Sequence, residues 1–260
     1  MWVLHLVKTD VDEDRLSDLH FQLSSKDRRR MIEELQAQNL KLSEVAKKLD
    51  ITATEAFRQL QRLTEAGFLE KTSDGRYRST PYSRLILESS AAMDFLSKHR
   101  EYFLEHDTSL IPPQFRARFG ELSKTVLLTK AVVNINTSTQ VFKNAEKRID
   151  AMNEQHLEHN AQILRQRSLE GVKVRSLLQE SVIEKEEPIV EQSWERRIVS
   201  RICAIVILTD KIVGISFPKL DGRMDYQVFE GSDPESLKWA GDLFEDQWNK
   251  GQALAPLAQR

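Results

Sequence analysis

The sequence predicts two domains of different class: an α+β domain of short helices and a two-stranded ribbon, then an α/β domain, joined by a helix. Three observations carry this. Between Leu42 and Thr80 the apolar residues keep helical spacing, break, resume it, and then give way to two short runs around Asp74 and Gly75. Beyond Pro112 and Pro113, runs rich in Val and Ile alternate with stretches of helical spacing, the pattern of a sheet covered by helices. The chain has 260 residues, enough for two cores of ordinary size.

In chain order, Trp2 to Val7 is a short apolar patch, followed by the acidic Asp10, Asp12, Glu13 and Asp14. Leu16, Leu19 and Phe21 are expected to lie against the first domain as an N-terminal extension. Ser24 to Asp27 can cap a helix running to Gln38 with Met31, Ile32 and Leu35 inward. Arg28, Arg29 and Arg30 in its first turn oppose the helix dipole, which suits either phosphate contact or a solvated helix end. A helix from Ser43 to Leu49 buries Val45, Ala46 and Leu49.

Thr52 and Glu55 form a capping box, and the helix that follows carries Ala53, Ala56, Phe57, Leu60 and Leu63 at core spacing. Gly67 supplies its left-handed stop. Phe68 to Lys71 and Arg76 to Arg78 flank the turn at Asp74 and Gly75, a dipeptide that favours positive φ. Helix, turn, helix, ribbon is the order of a winged helix-turn-helix.

The polar face of the second helix turns this into an argument about function. Thr54, Arg58 and Arg62 recur four apart, with Glu55 and Gln59 beside them. Arg and Gln are side chains that bond base edges in a major groove. Lys71, Arg76 and Arg78 on the ribbon suit phosphates, and Ser43 and Thr52 stand at the two helix starts facing the same partner. Double-stranded DNA is the expected partner; a solvated polar face is the alternative.

Residues 85–112 read as a linker and dimerisation helix, because Leu85, Ile86, Ser89, Met93, Leu96 and Phe103 give a long amphipathic pattern; packing of that face within its own chain is the alternative. The domains are therefore expected at 1–84 and 113–260, with the clearest break at 105–113. In the second domain, Thr125 to Val133 is expected as a strand, Ser138 to Asp150 and Asn153 to Glu170 as helices, and Val172 to Leu178 as a strand. Cys203 to Thr209 and Ile212 to Phe217 should pair as a hairpin, Asp225 to Phe229 adds a strand, and Asp233 and Pro234 open a last helix.

Composition narrows the classes. Hydrophobic residues make 40% and charged residues 30% of the chain, a globular balance with no apolar run long enough to span a membrane. The lone Cys203 excludes an internal disulfide and fits a reducing cytoplasm. It opens an apolar run, so a buried, inert thiol is expected. Net charge is −2, but it is unevenly divided. Residues 24–84 hold 13 basic against 9 acidic side chains, leaving 25 against 31 elsewhere, the asymmetry that nucleic-acid binding requires. The excess is small, which argues for a homodimer.

The chain resembles archaeal winged-helix transcription regulators of the filamentation-regulator family, distantly similar to the TrmB type. The likeness rests on Leu60 to Lys71, His106 and Asp107 with Ile111 and Pro112, and Phe115 with Gly120 to Leu122. Further along it takes in Gly171 to Arg175, Ile207 to Asp210, Ser216 to Pro218 with Asp221, Gly222 and Asp225, and Asp242 to Phe244 with Trp248. The resemblance implies operator binding as a homodimer. It also implies a phospholipase-D-like second domain that senses a small effector or partner.

An enzyme of that fold would need an H-x-K-x4-D motif, and none of the six histidines begins one. The second domain is therefore expected to sense or assemble and not to catalyse. No cofactor is expected. His156 and His159, three apart on a helix, lack a placed third metal ligand. An anionic effector would meet Arg175, Arg197, Arg201, Lys219 and Asp225 near predicted strand ends. Salt bridges to the acidic Glu184, Glu186 and Glu187 are the competing role. The expected function is that of a cytoplasmic, sequence-specific transcriptional regulator. A winged-helix protein–protein adaptor is the alternative.

Overall fold

The computed structural model of the chain describes residues 10–154, 158–181 and 194–254. They fall into two compact units, Met1–Ser90 and Ala91–Arg260.

The first unit is four helices and a ribbon: α1 (Asp10–Ser24), α2 (Lys26–Ala37), α3 (Leu42–Leu49), α4 (Ala53–Glu65), β1 (Leu69–Lys71) and β2 (Tyr77–Ser79). Then α5 (Pro81–Lys98) carries the chain onward. Its core joins Met31, Ile32 and Leu35 of α2 to Val45 and Leu49 of α3, Leu60 and Leu63 of α4, and Phe68, Leu69 and Tyr77 of the ribbon. Ile86 and Leu87 of α5 pack against this cluster. β1 and β2 are antiparallel, with Glu70 opposite Arg78. Leu40 adds a bridge to Tyr77, through N–H to carbonyl bonds of 3.1 and 2.8 Å in the two directions. Of the three residues expected to anchor the N-terminal extension, only Leu19 reaches the core, joined there by Leu23, whereas Leu16 and Phe21 are exposed.

Among the described residues, the second unit is built on an eight-stranded mixed sheet. In chain order come α6 (Arg100–Glu105), α7 (Pro113–Arg116), a 3-10 turn (Phe119–Leu122), β3 (Val126–Leu128), α8 (Ala131–Lys143), β4 (Arg148–Asn153), α9 (Glu158–Leu169) and β5 (Lys173–Gln179). β6 (Trp194–Val199), β7 (Ile205–Thr209), β8 (Val213–Ser216), β9 (Val228–Gly231), α10 (Pro234–Lys250) and β10 (Gln252–Ala253) follow. The strand order is β10-β6-β5-β4-β7-β8-β9-β3. β4, β5 and β6 are parallel, and the remaining pairs are antiparallel. The sheet separates two apolar layers. One gathers Phe95, Phe119, Phe217, Phe229, Trp239 and Phe244, with α10 among them. The other joins Phe142, Ile163, Leu164, Val174 and Trp194, with α8 and α9.

Three expectations are corrected here. Thr125 to Val133 is not one strand: β3 stops at Leu128 and α8 begins at Ala131. The Asn134 side chain donates 2.8 Å bonds to the carbonyls of Leu128 and Tyr226. This pins the helix start against the β-branched composition of the segment. Arg148 to Asn153, read as the end of a helix and the start of another, is the strand β4. Its Ile149, Asp150, Ala151 and Met152 are all buried, so the alternation that betrays a half-exposed strand is absent. Lastly, the segment 105–113 is not a free connector. Ile111 is wholly buried in the second unit's core, and Asp107 N–H bonds the Pro218 carbonyl at 2.7 Å. The His106 ring stacks on Tyr102 at 3.6 Å, with Nδ1 2.7 Å from the Tyr102 carbonyl and Nε2 3.1 Å from Asp225 Oδ2. Pro112 and Pro113 mark only the start of α7, and the division between units falls within α5.

Gly120 is required for packing. A Cβ there would stand 2.8 Å from Ala91 Cβ and 2.9 Å from the backbone nitrogen of Ala92. Cys203 is buried as expected, and burial pushes its thiol up to about 12. Cys203 is expected to resist a thiol reagent in the native chain and to react fully once denaturant is added. Rapid labelling of the native chain would contradict that reading.

Candidate nucleic-acid interface

The geometry of α4 is fixed at both ends and along its inner face. Asp50 takes the left-handed conformation at φ 55° that ends α3. The Thr52 hydroxyl then accepts the Glu55 N–H at 3.1 Å, the cap that the sequence predicts. At the other end Gly67 has φ +77°. Phe68 N–H bonds the Leu63 carbonyl at 2.9 Å and Gly67 N–H that of Thr64 at 3.1 Å, the paired bonds of a Schellman stop. Ala56, Leu60 and Leu63 are wholly buried.

This leaves Thr54, Phe57, Arg58, Gln61, Arg62 and Glu65 exposed on the far side. Phe57, expected in the core, has 52% of its surface exposed. The stripe Ala56, Leu60 and Leu63 fills the inner face, and at 3.6 residues per turn Phe57 falls with Thr54 and Gln61 on the outer one. Phe57 and Gln61, with the acidic Glu65 at the helix end, are outward residues that the sequence reading missed. For Phe57 and Gln61, the position beside Thr54 at i+3 and i+7 was the available signal.

Gln59 moves the other way. It is 8% exposed, donates to the Glu55 carboxylate, and accepts from Arg28 Nη1 at 3.3 Å. A side chain so held is not free to read a base, so Gln59 leaves the list of outward candidates. Glu55 also departs from expectation. Its carboxylate turns forward to Gln59 and to Arg58, 2.7 Å away. These bonds, Gln59 first, hold its carboxyl below the usual range.

Arg28 is buried and donates to the carbonyls of Phe21 and Gln22, so it ties α1 to α2 and α4. Arg29 likewise bonds the Leu23 carbonyl. Phosphate contact is thereby ruled out for Arg28, whose guanidinium also lies over the Phe21 ring. Arg62 approaches that ring as well, at 5.2 Å.

On the ribbon, Arg78 bonds Glu70 at 2.7 Å. Arg76 meets the Asn39 carbonyl at 3.1 Å, Glu44 at 3.3 Å and Asp74 at 3.3 Å. Lys71 is exposed above the Tyr77 ring. Ser43 and Thr52 are exposed at the starts of α3 and α4. Apart from the buried Gln59 and the half-buried Glu55 and Arg76, the sequence-predicted side chains are exposed on the first unit, though most of their cations already hold a carboxylate.

The five candidate effector residues do not converge. Arg175 bonds Asp150 and Glu245, each at 2.7 Å. Arg197 donates to the Trp248 carbonyl at 2.9 Å and lies over its ring. Lys219 pairs with Glu105 at 3.4 Å. Asp225 accepts from His106, Gln227 N–H and the Gln227 amide. Burial would raise its carboxyl, but these bonds outweigh burial and hold it low. Of the five, Arg201 alone lines an open cavity, of about 350 Å³, where it is joined by Lys250, Ser200, Gln247 and the acidic Glu180. That cavity lies just past the carboxyl ends of β5 and β6, where open α/β sheets place ligands. Glu184, Glu186, Glu187 and His156 lie outside the described residues.

Fold and surface together define a chain of two units, one presenting a capped helix beside a cationic ribbon, the other a mixed sheet between helices. A family model described as the HVO_A0261 N-terminal domain matches residues 16–100. No curated protein matches the chain. Among solved structures, the archaeal chromatin protein TrmBL2, whose structure is described as showing a novel mode of DNA binding, is 14% identical over 83% of this chain and 88% of its own, with a TM-score of 0.44. NucT from Helicobacter pylori is 10% identical over 50% of this chain and 98% of its own, at 0.41. The phospholipase D family member Nuc from Salmonella typhimurium is 13% identical over 50% and 99%, at 0.36.

Proposed function

We propose that the chain is a sequence-specific transcriptional regulator that binds double-stranded DNA through a winged helix-turn-helix, with α4 as recognition helix and β1 and β2 as the wing. The observation that carries this is the outward stripe of α4, where Thr54, Arg58 and Gln61 stand clear of the core on a helix held by cap and stop. Such side chains bond base edges, while Lys71, Arg76 and Arg78 suit phosphates. The reading places the chain with the archaeal regulators it resembles, as a cytoplasmic homodimer. Leu85, Met93 and Leu96, exposed along α5, supply the apolar stripe for the second copy. The second unit then serves as a phospholipase-D-like sensor without catalysis, with the Arg201 cavity as its anionic effector site. Among the described residues no helix is long and apolar enough to cross a membrane.

The test is an electrophoretic mobility series on duplex DNA at rising salt. Affinity should fall steeply, by about 0.9 in log K per unit log salt for each phosphate neutralised. Arg58→Ala should cost about 1–3 kcal/mol of binding to a selected duplex, with the melting temperature unchanged. Unaltered affinity would remove Arg58 from the interface.

One observation favours a second reading. Arg58, Arg76 and Arg78 each hold a carboxylate, which suits a protein–protein adaptor as well as a DNA binder. Absence of any salt-dependent duplex binding would leave the adaptor standing.

A further inference from the structure

We infer that Phe57 reads the 5-methyl group of a thymine, an inference that rests on the DNA-binding reading above. The ring is apolar, sits on the outward side of α4, and is 52% exposed. Its neighbours on that side are Thr54, Arg58 and Gln61, side chains that hydrogen-bond. A surface that docks a protein helix or groove offers a contiguous apolar patch. Here the exposed apolar groups of α4 are only Phe57 and the small Ala53.

A lone ring set among hydrogen-bonding side chains matches what one major-groove edge displays. Thymine presents an acceptor and a methyl group, and Phe is among the side chains that meet that methyl. Arg58 follows Phe57 directly, so the same segment offers an apolar contact and a bidentate donor side by side. Guanine is the base that arginine matches. The geometry therefore points to a thymine close to a guanine in each half-site. Replacing Phe57 leaves the core beneath α4 in place, because that core is filled by Ala56, Leu60 and Leu63.

The experiment selects duplexes from a randomised library with the full chain, then rebuilds the winners with deoxyuridine in place of each thymine in turn. Uracil lacks only the methyl. One thymine per bound copy should weaken binding about four-fold when replaced, the worth of one buried methyl. Phe57→Ala should bind the thymine and uracil duplexes equally, and Phe57→Leu should keep most of the difference. Binding of selected duplexes that no uracil alters, or equal sensitivity in Phe57→Ala, would overturn the role of Phe57 and leave DNA binding intact. Failure to enrich any duplex would instead overturn the DNA reading itself, and this inference with it. Unchanged circular dichroism and melting of both variants distinguish a lost contact from a lost fold.

Discussion

Arg175→Ala is expected to destabilise the second unit by about 3–5 kcal/mol, the cost of leaving a buried charge without its partner. Arg175 and Asp150 face each other in register on the parallel strands β5 and β4. Asp150 is 1% exposed, and Arg175 Nε donates to its Oδ1 at 2.7 Å. The same guanidinium bonds Glu245 on α10 and lies over the rings of Phe244 and Trp248, at 4.9 and 5.3 Å from their centroids. Burial would lower its pKa, but the bonds to Asp150 and Glu245 outweigh burial and raise it. Without Arg175, the nearest cation to Asp150 is Arg148 at 3.8 Å. Urea denaturation followed by tryptophan fluorescence measures the loss. A double variant, Arg175→Met with Asp150→Ala, should recover part of it, because no orphaned carboxylate remains. If Arg175→Ala melted normally and lost affinity for an anion, the residue would return to the effector site from which its geometry removes it.

The contrast between Arg175 and α4 shows what the sequence could carry. Caps and stops are local: the Thr52 hydroxyl meets a nitrogen three residues on, and Gly67 sets one backbone angle. Such features are legible because one turn of chain contains both partners. The side on which Arg175 projects depends on β4, which its own residues disguise by being buried on both faces. With β4 read as helix, the register that brings Asp150 opposite Arg175 could not be anticipated. Phe57 and Gln59 exchanged roles for a related reason. Periodicity ranks residues by hydrophobicity, whereas Gln59 is buried through a polar link to Arg28, 31 positions earlier. The segment 105–113 misled because Pro112 and Pro113 punctuate a loop in the same way whether or not it is packed. What decides the matter is the pairing of His106 with Asp225, 119 positions away.

Leu60→Ala should separate the two units, costing the first about 2–5 kcal/mol and sparing the second. Leu60 is wholly buried where α4 meets α2, α3 and the ribbon, and the cavity cannot collapse without shifting α4. A small unit buries a smaller share of its surface and has less stability to lose. The expected result is two transitions: an early loss of helix by circular dichroism, then a later change in tryptophan fluorescence at the native midpoint. Fluorescence is suited to this in a Trp2→Phe background, because the other three tryptophans, Trp194, Trp239 and Trp248, all belong to the second unit. Duplex binding should fall with the early transition and return at low temperature, since the outward side chains are untouched. Arg58→Ala should do the reverse, weakening binding at every temperature with melting unchanged. The pair therefore distinguishes a helix that contacts DNA from one that only supports the fold. Duplex binding that survives the melting of the first unit would refute the assignment of α4, and a single transition shared by both units in Leu60→Ala would refute their independent unfolding.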